Sequence, residues 1–212
     1  TLFNLRRMLM NKSFIIKIIL LCLVTIKVSA TEKVILFGDS LMAGYGLPKE
    51  EHLSVVLQKS LELEGYNIEI VNGSVSGSTS AGGLNIAEWT FSENNIDLMI
   101  LCLGANDMLR GIKPNETEKN LEKIIKIAKL KEIEIILAGM LAPTSYGTEY
   151  KKNFDQIYLK LSKKYDLKLI PFLLEGVAFN PGLNLSDGIH PNKEGTVVIS
   201  KTLKKNILNY IN

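Results

Sequence analysis

The sequence predicts an α/β protein in which a five-stranded parallel sheet lies between two layers of helices, a three-layer α/β/α sandwich. From residue 32 onward, short apolar runs alternate five times with stretches whose apolar residues recur every three or four positions. These two patterns are typical of buried strands and of helices with one buried face. No linker, repeat or low-complexity tract interrupts them. Strands that alternate with helices pair in parallel, which gives the predicted sheet.

Five strands are predicted, at residues 33–37, 68–72, 96–103, 133–139 and 167–172, with helices in between. The apolar stripes on these helices are interpreted as core rather than as cofactor contacts, and Cys102 in the third strand as a buried thiol. The stripes comprise Leu53, Val56, Leu57 and Leu61, then Leu121, Ile124, Ile125 and Ala128, then Phe154, Ile157, Tyr158 and Leu161, and finally Ile199, Leu203 and Ile207.

Residues 1–30 are interpreted as a signal peptide, and residues 31–212 as a single domain. The first thirty residues hold five basic side chains and no acid, a largely apolar run from Ile18 to Ile26, and the small residues Ser29 and Ala30. The run is shorter than the roughly 20 residues of a membrane span. We therefore expect cleavage after Ala30, a mature chain without an integral membrane span, and a periplasmic or secreted location. An uncleaved N-terminal anchor is the alternative.

The charge of the chain argues against a nucleic-acid partner. The formal net charge is +3, but the part beyond residue 30 holds 20 basic and 22 acidic side chains, a net charge of −2. Nucleic-acid binding requires a basic patch, and the sequence offers none there. Beyond residue 30, two distant histidines and a single cysteine predict no metal site. Gly44 and Gly46 lack the third glycine of a dinucleotide loop, so no cofactor is expected.

Polar, glycine-rich loops follow the first three predicted strands. They are Gly38-Asp39-Ser40-Leu41, the stretch N-G-S-V-S-G-S-T-S at residues 72–80, and Gly104-Ala105-Asn106-Asp107. A fourth polar segment, Asp187-Gly188-Ile189-His190-Pro191, precedes the last helix. Ligands of open α/β sheets bind at the carboxyl ends of the strands, so these loops are expected to converge on one site.

Acyl transfer needs a nucleophile, a base within hydrogen-bond reach, and a group that orients the base. Ser40 suits the nucleophile, although Ser is equally suited to cap a helix. His190 is the candidate base, because His52 lies in a charged helix start and is expected to be solvated. Asp187 can accept a hydrogen bond from the other ring nitrogen of His190, and Pro191 is expected in the first turn of the last helix. An ordinary turn is the alternative for this segment.

Two further residues are candidates for binding the oxyanion that develops during acyl transfer. Gly77 lets its backbone N–H approach a substrate closely, and the Asn106 amide is a donor on a short side chain. A plain loop glycine and a helix-capping Asn are the alternatives. Asp107 is predicted either to cap a helix or to hold the loops together.

These four segments, in this order, resemble the four conserved blocks of the SGNH, or GDSL, hydrolases over roughly residues 32–209. The chain is similar above all to the secreted thioesterase I, lysophospholipase L1 and arylesterase group, through G-D-S-L-M-A-G-Y-G-L-P, L-C-L-G-A-N-D-M-L-R-G, P-F-L-L-E-G-V and D-G-I-H-P-N. The resemblance implies the flavodoxin-like SGNH fold, a triad of Ser40, His190 and Asp187, and an oxyanion hole of Ser40, Gly77 and Asn106. Ser78 departs from the acid that relatives often carry after the glycine.

The expected function is a serine esterase or thioesterase that acts through an acyl-enzyme on small acyl esters, lysophospholipids or acyl thioesters. Apolar residues in segments 108–113 and 171–179 favour fatty acyl chains modestly. A carbohydrate acetyl esterase of envelope sugars is the first alternative, and a non-catalytic flavodoxin-like binding module is the second. Transient contact with lipid is left open, and the sequence does not indicate an oligomeric state.

Overall fold

A computed structural model of the chain describes residues 32–93 and 95–211, so the predicted signal peptide lies outside the described residues. Five strands form one sheet in the order β2-β1-β3-β4-β5, and all neighbouring strands are parallel. The strands are β1 (Glu32–Gly38), β2 (Ile68–Asn72), β3 (Leu98–Cys102), β4 (Glu134–Ala138) and β5 (Lys168–Ile170). The predicted fold class is confirmed.

The last three strands are shorter than the apolar runs that predicted them, whereas β2 has the predicted bounds and β1 is one residue longer at each end. The run at 96–103 gives a strand only over Leu98–Cys102, and the run at 167–172 ends as a strand at Ile170. Pro171 has no N–H to donate to a neighbouring strand, which accounts for the early end of β5. Apolar residues just outside the strands, such as Ile96 and Leu103, are buried all the same.

Seven α-helices lie within the described residues, and none of these is long and apolar enough to cross a lipid bilayer. Three short 3-10 helices accompany them, at Lys49–Glu51, Thr144–Tyr146 and Pro181–Leu183. The α-helices are α1 (Ser40–Ala43), α2 (Leu53–Glu62), α3 (Ser80–Glu93), α4 (Ala105–Leu109), α5 (Pro114–Leu130), α6 (Thr148–Tyr165) and α7 (Lys193–Ile211).

The long helices form two groups. Helix α2 packs against α7, whereas α5 packs against both α3 and α6. Along the sheet the chain runs one way from β1 to β2 and the opposite way from β2 to β3, β4 and β5, so right-handed crossovers place the two groups on opposite faces of the sheet. The predicted apolar stripes face this sheet: their members are buried, apart from the partly exposed Val56. Cys102 is buried as predicted, and burial raises the pKa of its thiol.

The order in which the chain adds strands to the sheet reverses next to β1, and this reversal determines where a site forms. Strand β1 lies between β2 and β3, and Gly38 pairs with Cys102 at the carboxyl ends of β1 and β3. Loops that leave these two neighbouring strands diverge to opposite faces and leave a crevice, the usual ligand position in open α/β sheets. Ser40 follows β1 and Asn106 follows β3, so both residues lie at this crevice.

Candidate active site

Ser40 lies in a tight strand-to-helix turn. Gly38 ends β1 so close to β3 that a Cβ on it would lie 2.7 Å from the Cys102 carbonyl oxygen. Asp39 caps helix α1, because its side chain accepts a hydrogen bond from the Leu41 N–H at 3.1 Å. The capping role that the sequence left open for Ser40 therefore belongs to Asp39. The Ser40 hydroxyl is thereby available to contacts outside its own helix.

Ser40, His190 and Asp187 form a continuous hydrogen-bonded row. Ser40 Oγ lies 2.9 Å from His190 Nε2, and His190 Nδ1 lies 2.7 Å from Asp187 Oδ2. An ionised Asp187 only accepts hydrogen bonds, so it favours the tautomer that carries its proton on Nδ1. His190 Nε2 is then the acceptor that faces the Ser40 hydroxyl. The fold thus joins two residues that are 150 positions apart in the sequence.

The turn before α7 holds Asp187 in an ionised form. Its Oδ1 accepts hydrogen bonds from the backbone N–H groups of Ile189 and His190, at 2.8 and 3.0 Å. Burial raises the pKa of Asp187, but the hydrogen bonds from His190 and Ile189 outweigh it and bring the pKa down to about 2. Asp187 therefore makes the local turn that was the alternative interpretation and also holds the His190 ring.

Two predictions around the histidines are wrong. His52 is not solvated: its ring is half-buried against Gly44, and Nε2 lies 3.0 Å from the Leu47 carbonyl oxygen. Pro191 does not begin the last helix, because it forms an isolated antiparallel bridge with Asn184. Helix α7 begins at Lys193, where Asn192 Oδ1 accepts from the Gly195 N–H.

Asn106 lies beside Ser40 and above a buried carboxyl group. Its side-chain amide donates a hydrogen bond from Nδ2 to Asp39 Oδ2 at 3.3 Å. Asp39 is fully buried, and this burial raises its pKa to about 6, although the hydrogen bonds from Leu41 and Asn106 lower it in part. One N–H of the Asn106 amide is thus committed to Asp39, and the second remains for another acceptor.

The loop that carries Gly77 is tied to both neighbouring loops. The Val75 N–H donates to the Gly38 carbonyl oxygen at 3.1 Å, and Arg110 Nη2 donates to the Gly77 carbonyl oxygen at 2.9 Å. Gly77 has a φ of 78°, a conformation that favours glycine. Ser78, the departure from the resemblance, bonds within its own loop through its N–H to Val75 and its hydroxyl to Thr79.

Asp107 is fully buried and connects two loops of the site. Its carboxylate accepts from the Ser80 N–H at 2.7 Å, from the Ser80 hydroxyl, and from the Thr117 hydroxyl at 3.1 Å. Ser80 begins α3, directly after the Gly77 loop. Of the two roles predicted for Asp107, the structure supports the one of holding the loops together.

We expect Asp107→Ala to act mainly on stability. The change leaves two buried hydroxyls and a backbone N–H without their acceptor, at a cost of about 2 to 4 kcal/mol. For a domain of this size, the melting temperature then falls by roughly 5 to 15 °C. Thermal unfolding of the purified variant measures this fall. Glu88→Ala, which removes an exposed carboxylate from α3, is the control and leaves the melting temperature nearly unchanged. An Asp107→Ala protein as stable as the wild type would contradict the bridging role.

A largely apolar cavity of about 530 Å³ opens beside Ser40 and His190. Asn106 lines it as well, whereas Gly77 does not appear among its walls in the described part of the chain. The apolar lining comes from the segments after β1, β3, β4 and β5 and from the segment before α7: Leu41, Ala105, Met108, Leu109, Met140, Leu141, Ala142, Pro143, Phe172, Leu174, Ala178, Phe179 and Ile189. Within residues 32–93 and 95–211, no group of three potential ligand side chains could hold a metal ion.

Comparisons with known proteins agree with this geometry. The model of the GDSL-like lipase/acylhydrolase family matches residues 36–197, which is most of the chain. The chain belongs to this family, the SGNH hydrolases. It is therefore an acyl hydrolase, an enzyme that releases acyl groups by hydrolysis. The alternative of a binding module without catalysis is wrong.

Individual relatives of this SGNH hydrolase cover nearly its whole length. It is 34% identical to an arylesterase of Vibrio mimicus over 182 residues, 86% of this chain and 91% of that protein. It is 32% identical to thioesterase 1/protease 1/lysophospholipase L1 of Escherichia coli, with 91% of each chain covered. The crystal structure of the psychrotrophic esterase EstA from Pseudoalteromonas, inhibited by monoethylphosphonate, superposes with a TM-score of 0.82 at 29% identity, over 85% of this chain and 99% of that one.

The sequence reasoning missed three residues around the site: Asp39 beneath Asn106, Arg110 on the Gly77 loop, and Tyr45. The Tyr45 ring lies against the His190 ring of this hydrolase, with centroids 4.4 Å apart. An aromatic residue between Gly44 and Gly46, directly after the Ser40 helix, was the available signal.

Proposed function

We propose that this hydrolase cleaves fatty acyl esters and thioesters with Ser40 as nucleophile, His190 as general base and Asp187 as the residue that orients the base. The observation that carries the proposal is the 2.9 Å contact between Ser40 Oγ and His190 Nε2 at the wall of an apolar cavity. A serine hydroxyl is a weak nucleophile unless a base takes its proton during attack, and this contact supplies that base.

In the acylation half of the reaction, Ser40 Oγ attacks the carbonyl carbon of the substrate while its proton passes to His190 Nε2. The carbonyl π electrons move to the oxygen, which becomes a tetrahedral oxyanion. The intermediate then collapses: the bond to the leaving group breaks, and His190 Nε2 returns the proton to the departing alcohol or thiol. The ionised Asp187 stabilises the positive charge that His190 carries in between.

In the deacylation half, a water molecule attacks the Ser40 ester, and His190 takes one proton from it. The second tetrahedral intermediate expels Ser40 Oγ, which regains the proton from Nε2, and the fatty acid leaves. Consumption of one water per ester balances the reaction. The hydrogen bond from His190 Nδ1 to Asp187 keeps Nε2 directed at the reacting oxygen throughout both halves.

Three donors are proposed for the oxyanion: the backbone N–H groups of Ser40 and Gly77 and the side-chain amide of Asn106. Two observations support this set. Asn106 lines the same cavity as Ser40, and its amide is anchored on Asp39 with one N–H to spare. Arg110 holds the Gly77 loop through the Gly77 carbonyl oxygen. Donors fixed before the reaction starts stabilise the charge without reorganisation.

The apolar lining of the cavity favours a fatty acyl group over an acetyl group on a sugar. The test is hydrolysis of p-nitrophenyl esters from acetate to palmitate, together with palmitoyl-CoA and a lysophospholipid. We expect kcat/KM to rise with chain length beyond acetate. We also expect cleavage of palmitoyl-CoA, of the lysophospholipid, or of both. Activity confined to the acetate ester would support the carbohydrate acetyl esterase instead, and the absence of any activity would refute the proposed mechanism.

We further propose that the enzyme is exported and acts in the periplasm or outside the cell. The support is the basic, then apolar, then small-residue pattern of residues 1–30. We expect mass spectrometry of the exported protein to find Thr31 at its N-terminus. An exported protein that retains residues 11–30 would show that the segment is an anchor and not a cleaved signal.

A further inference from the structure

Phe179 combines two unfavourable features at one edge of the cavity. Its backbone has a φ of 62°, in the left-handed region that bulky residues avoid. Its side chain is 86% exposed, so the phenyl ring gains little from packing within the protein. Strain of this kind in a non-glycine residue points to a role in function when the residue lies at a site.

The strain has a local origin. Residues 174–178 form a tight turn, in which Gly176 has a φ of 75° and the Ala178 N–H donates to the Leu174 carbonyl oxygen at 2.9 Å. Phe179 follows in the left-handed conformation as the third residue of a turn that the Asn180 N–H closes on the Val177 carbonyl oxygen at 3.2 Å, a position where a positive φ normally requires Gly or Asn. Asn180, the next residue, already caps the following 3-10 helix through the Gly182 N–H. The fold therefore needs a left-handed residue at position 179 but does not need a phenyl ring there.

The surroundings of Phe179 indicate what the ring contacts. Four of the exposed large apolar side chains line the cavity beside Ser40: Leu109, Leu141, Phe179 and Ile189. They come from four separate segments, so they surround the cavity from several sides. Single exposed apolar residues are ordinary, but a group that continues an apolar cavity out to solvent marks a binding surface.

We infer that Phe179 is a specificity-determining residue that binds the distal part of a long acyl chain, beyond the portion that the cavity encloses. This inference rests on the proposed function, because it assumes that the acyl group of the substrate lies in the cavity. A chain long enough to reach Phe179 removes the exposed ring from water when it binds, whereas acetate never touches it. The Phe179 ring should therefore raise kcat/KM only for substrates with long acyl chains.

The test compares Phe179→Asn with Phe179→Leu on p-nitrophenyl acetate, butyrate, octanoate and dodecanoate, each below its solubility limit. Asn adopts the left-handed conformation readily but offers no apolar surface, whereas Leu retains most of that surface. We expect Phe179→Asn to lower kcat/KM about tenfold on dodecanoate and less than twofold on acetate, because burial of one large apolar side chain is worth at least that factor. Phe179→Leu should recover most of the loss.

Two further measurements separate this role from others. The melting temperature of Phe179→Asn should equal or exceed that of the wild type, because the substitution relieves backbone strain. Trp89→Gln, which removes an exposed aromatic side chain from α3 that does not line the cavity, should leave the chain-length profile unchanged.

Four outcomes would overturn the inference. Equal losses on acetate and dodecanoate would assign Phe179 to positioning of Ser40 or His190, and a clearly lowered melting temperature would assign it to packing. A loss confined to lipid vesicles or micelles, with unchanged kinetics on dissolved esters, would make the ring a contact for a lipid surface. If the wild type cleaves long esters and Phe179→Asn matches it, this inference fails alone; if the wild type cleaves none, the proposed function fails.

Discussion

Ser40→Ala and His190→Ala are each expected to lower kcat on p-nitrophenyl butyrate by about 10⁴-fold to 10⁶-fold, and the double variant by little more. The physical reason is that Ser40 Oγ and His190 Nε2, 2.9 Å apart, act as one unit. Without the base the hydroxyl does not attack, and without the hydroxyl the base has no proton to take. Steady-state kinetics of the two single variants and the double variant measure the overlap of their effects.

His52→Ala is the matched control for the first prediction, since the chain holds only one histidine besides His190. Its ring bonds to Leu47, so its loss should lower stability while the folded fraction keeps its kcat. A phosphonate ester gives a second measurement: mass spectrometry should find its covalent adduct on Ser40 in the wild type and none in Ser40→Ala. Independent, multiplicative losses in the double variant, or an adduct elsewhere in the chain, would contradict the proposed triad.

Asn106→Ala should lower kcat by about 100-fold to 1000-fold and change KM little. A donor directed at the oxyanion acts chiefly in the transition state, when the negative charge has developed, and removal of one such donor typically costs roughly 3 to 4 kcal/mol. A packing role would instead reduce thermal stability and leave the kcat of the folded protein nearly intact. Steady-state kinetics together with a melting curve of the same sample distinguish these results.

The contact between Asn106 and Asp39 predicts how the stability of Asn106→Ala depends on pH, which separates a loss of stability from a loss of kcat. The pKa of Asp39 is raised from 3.8 to about 6, so its contribution to stability is present below pH 3.8 and is lost as the pH rises through about 6. Loss of the Asn106 amide raises this pKa further, which destabilises only the ionised form. The melting temperature of Asn106→Ala should therefore fall at pH 8 and hardly change at pH 5.

Under conditions where Asn106→Ala is fully folded, its kcat at saturating p-nitrophenyl butyrate should still be lowered. If kcat falls less than about tenfold, or if the loss follows unfolding at both pH values, Asn106 is a structural residue. The oxyanion hole would then consist of the backbone N–H groups of Ser40 and Gly77 alone.

The sequence by itself determined the fold class and the position of Ser40 and Asn106 at one edge of the sheet. Both follow from local patterns: apolar periodicity distinguishes strands from helices, and alternation of the two implies a parallel sheet. Once the sheet is parallel, residues that follow neighbouring strands lie at one edge. Ser40 and Asn106 could therefore be placed together without coordinates.

Only the tertiary structure decided which partner each polar group has. Asp39 and Asp107 lie one residue from Ser40 and Asn106 in similar loops, yet one supports the Asn106 amide and the other binds Ser80 and Thr117. Hydrogen-bond partners depend on the direction and burial of each side chain, which are fixed by packing between segments that are distant in sequence. For the same reason the sequence did not predict the half-buried His52, the bridge at Pro191 or the strained, exposed Phe179.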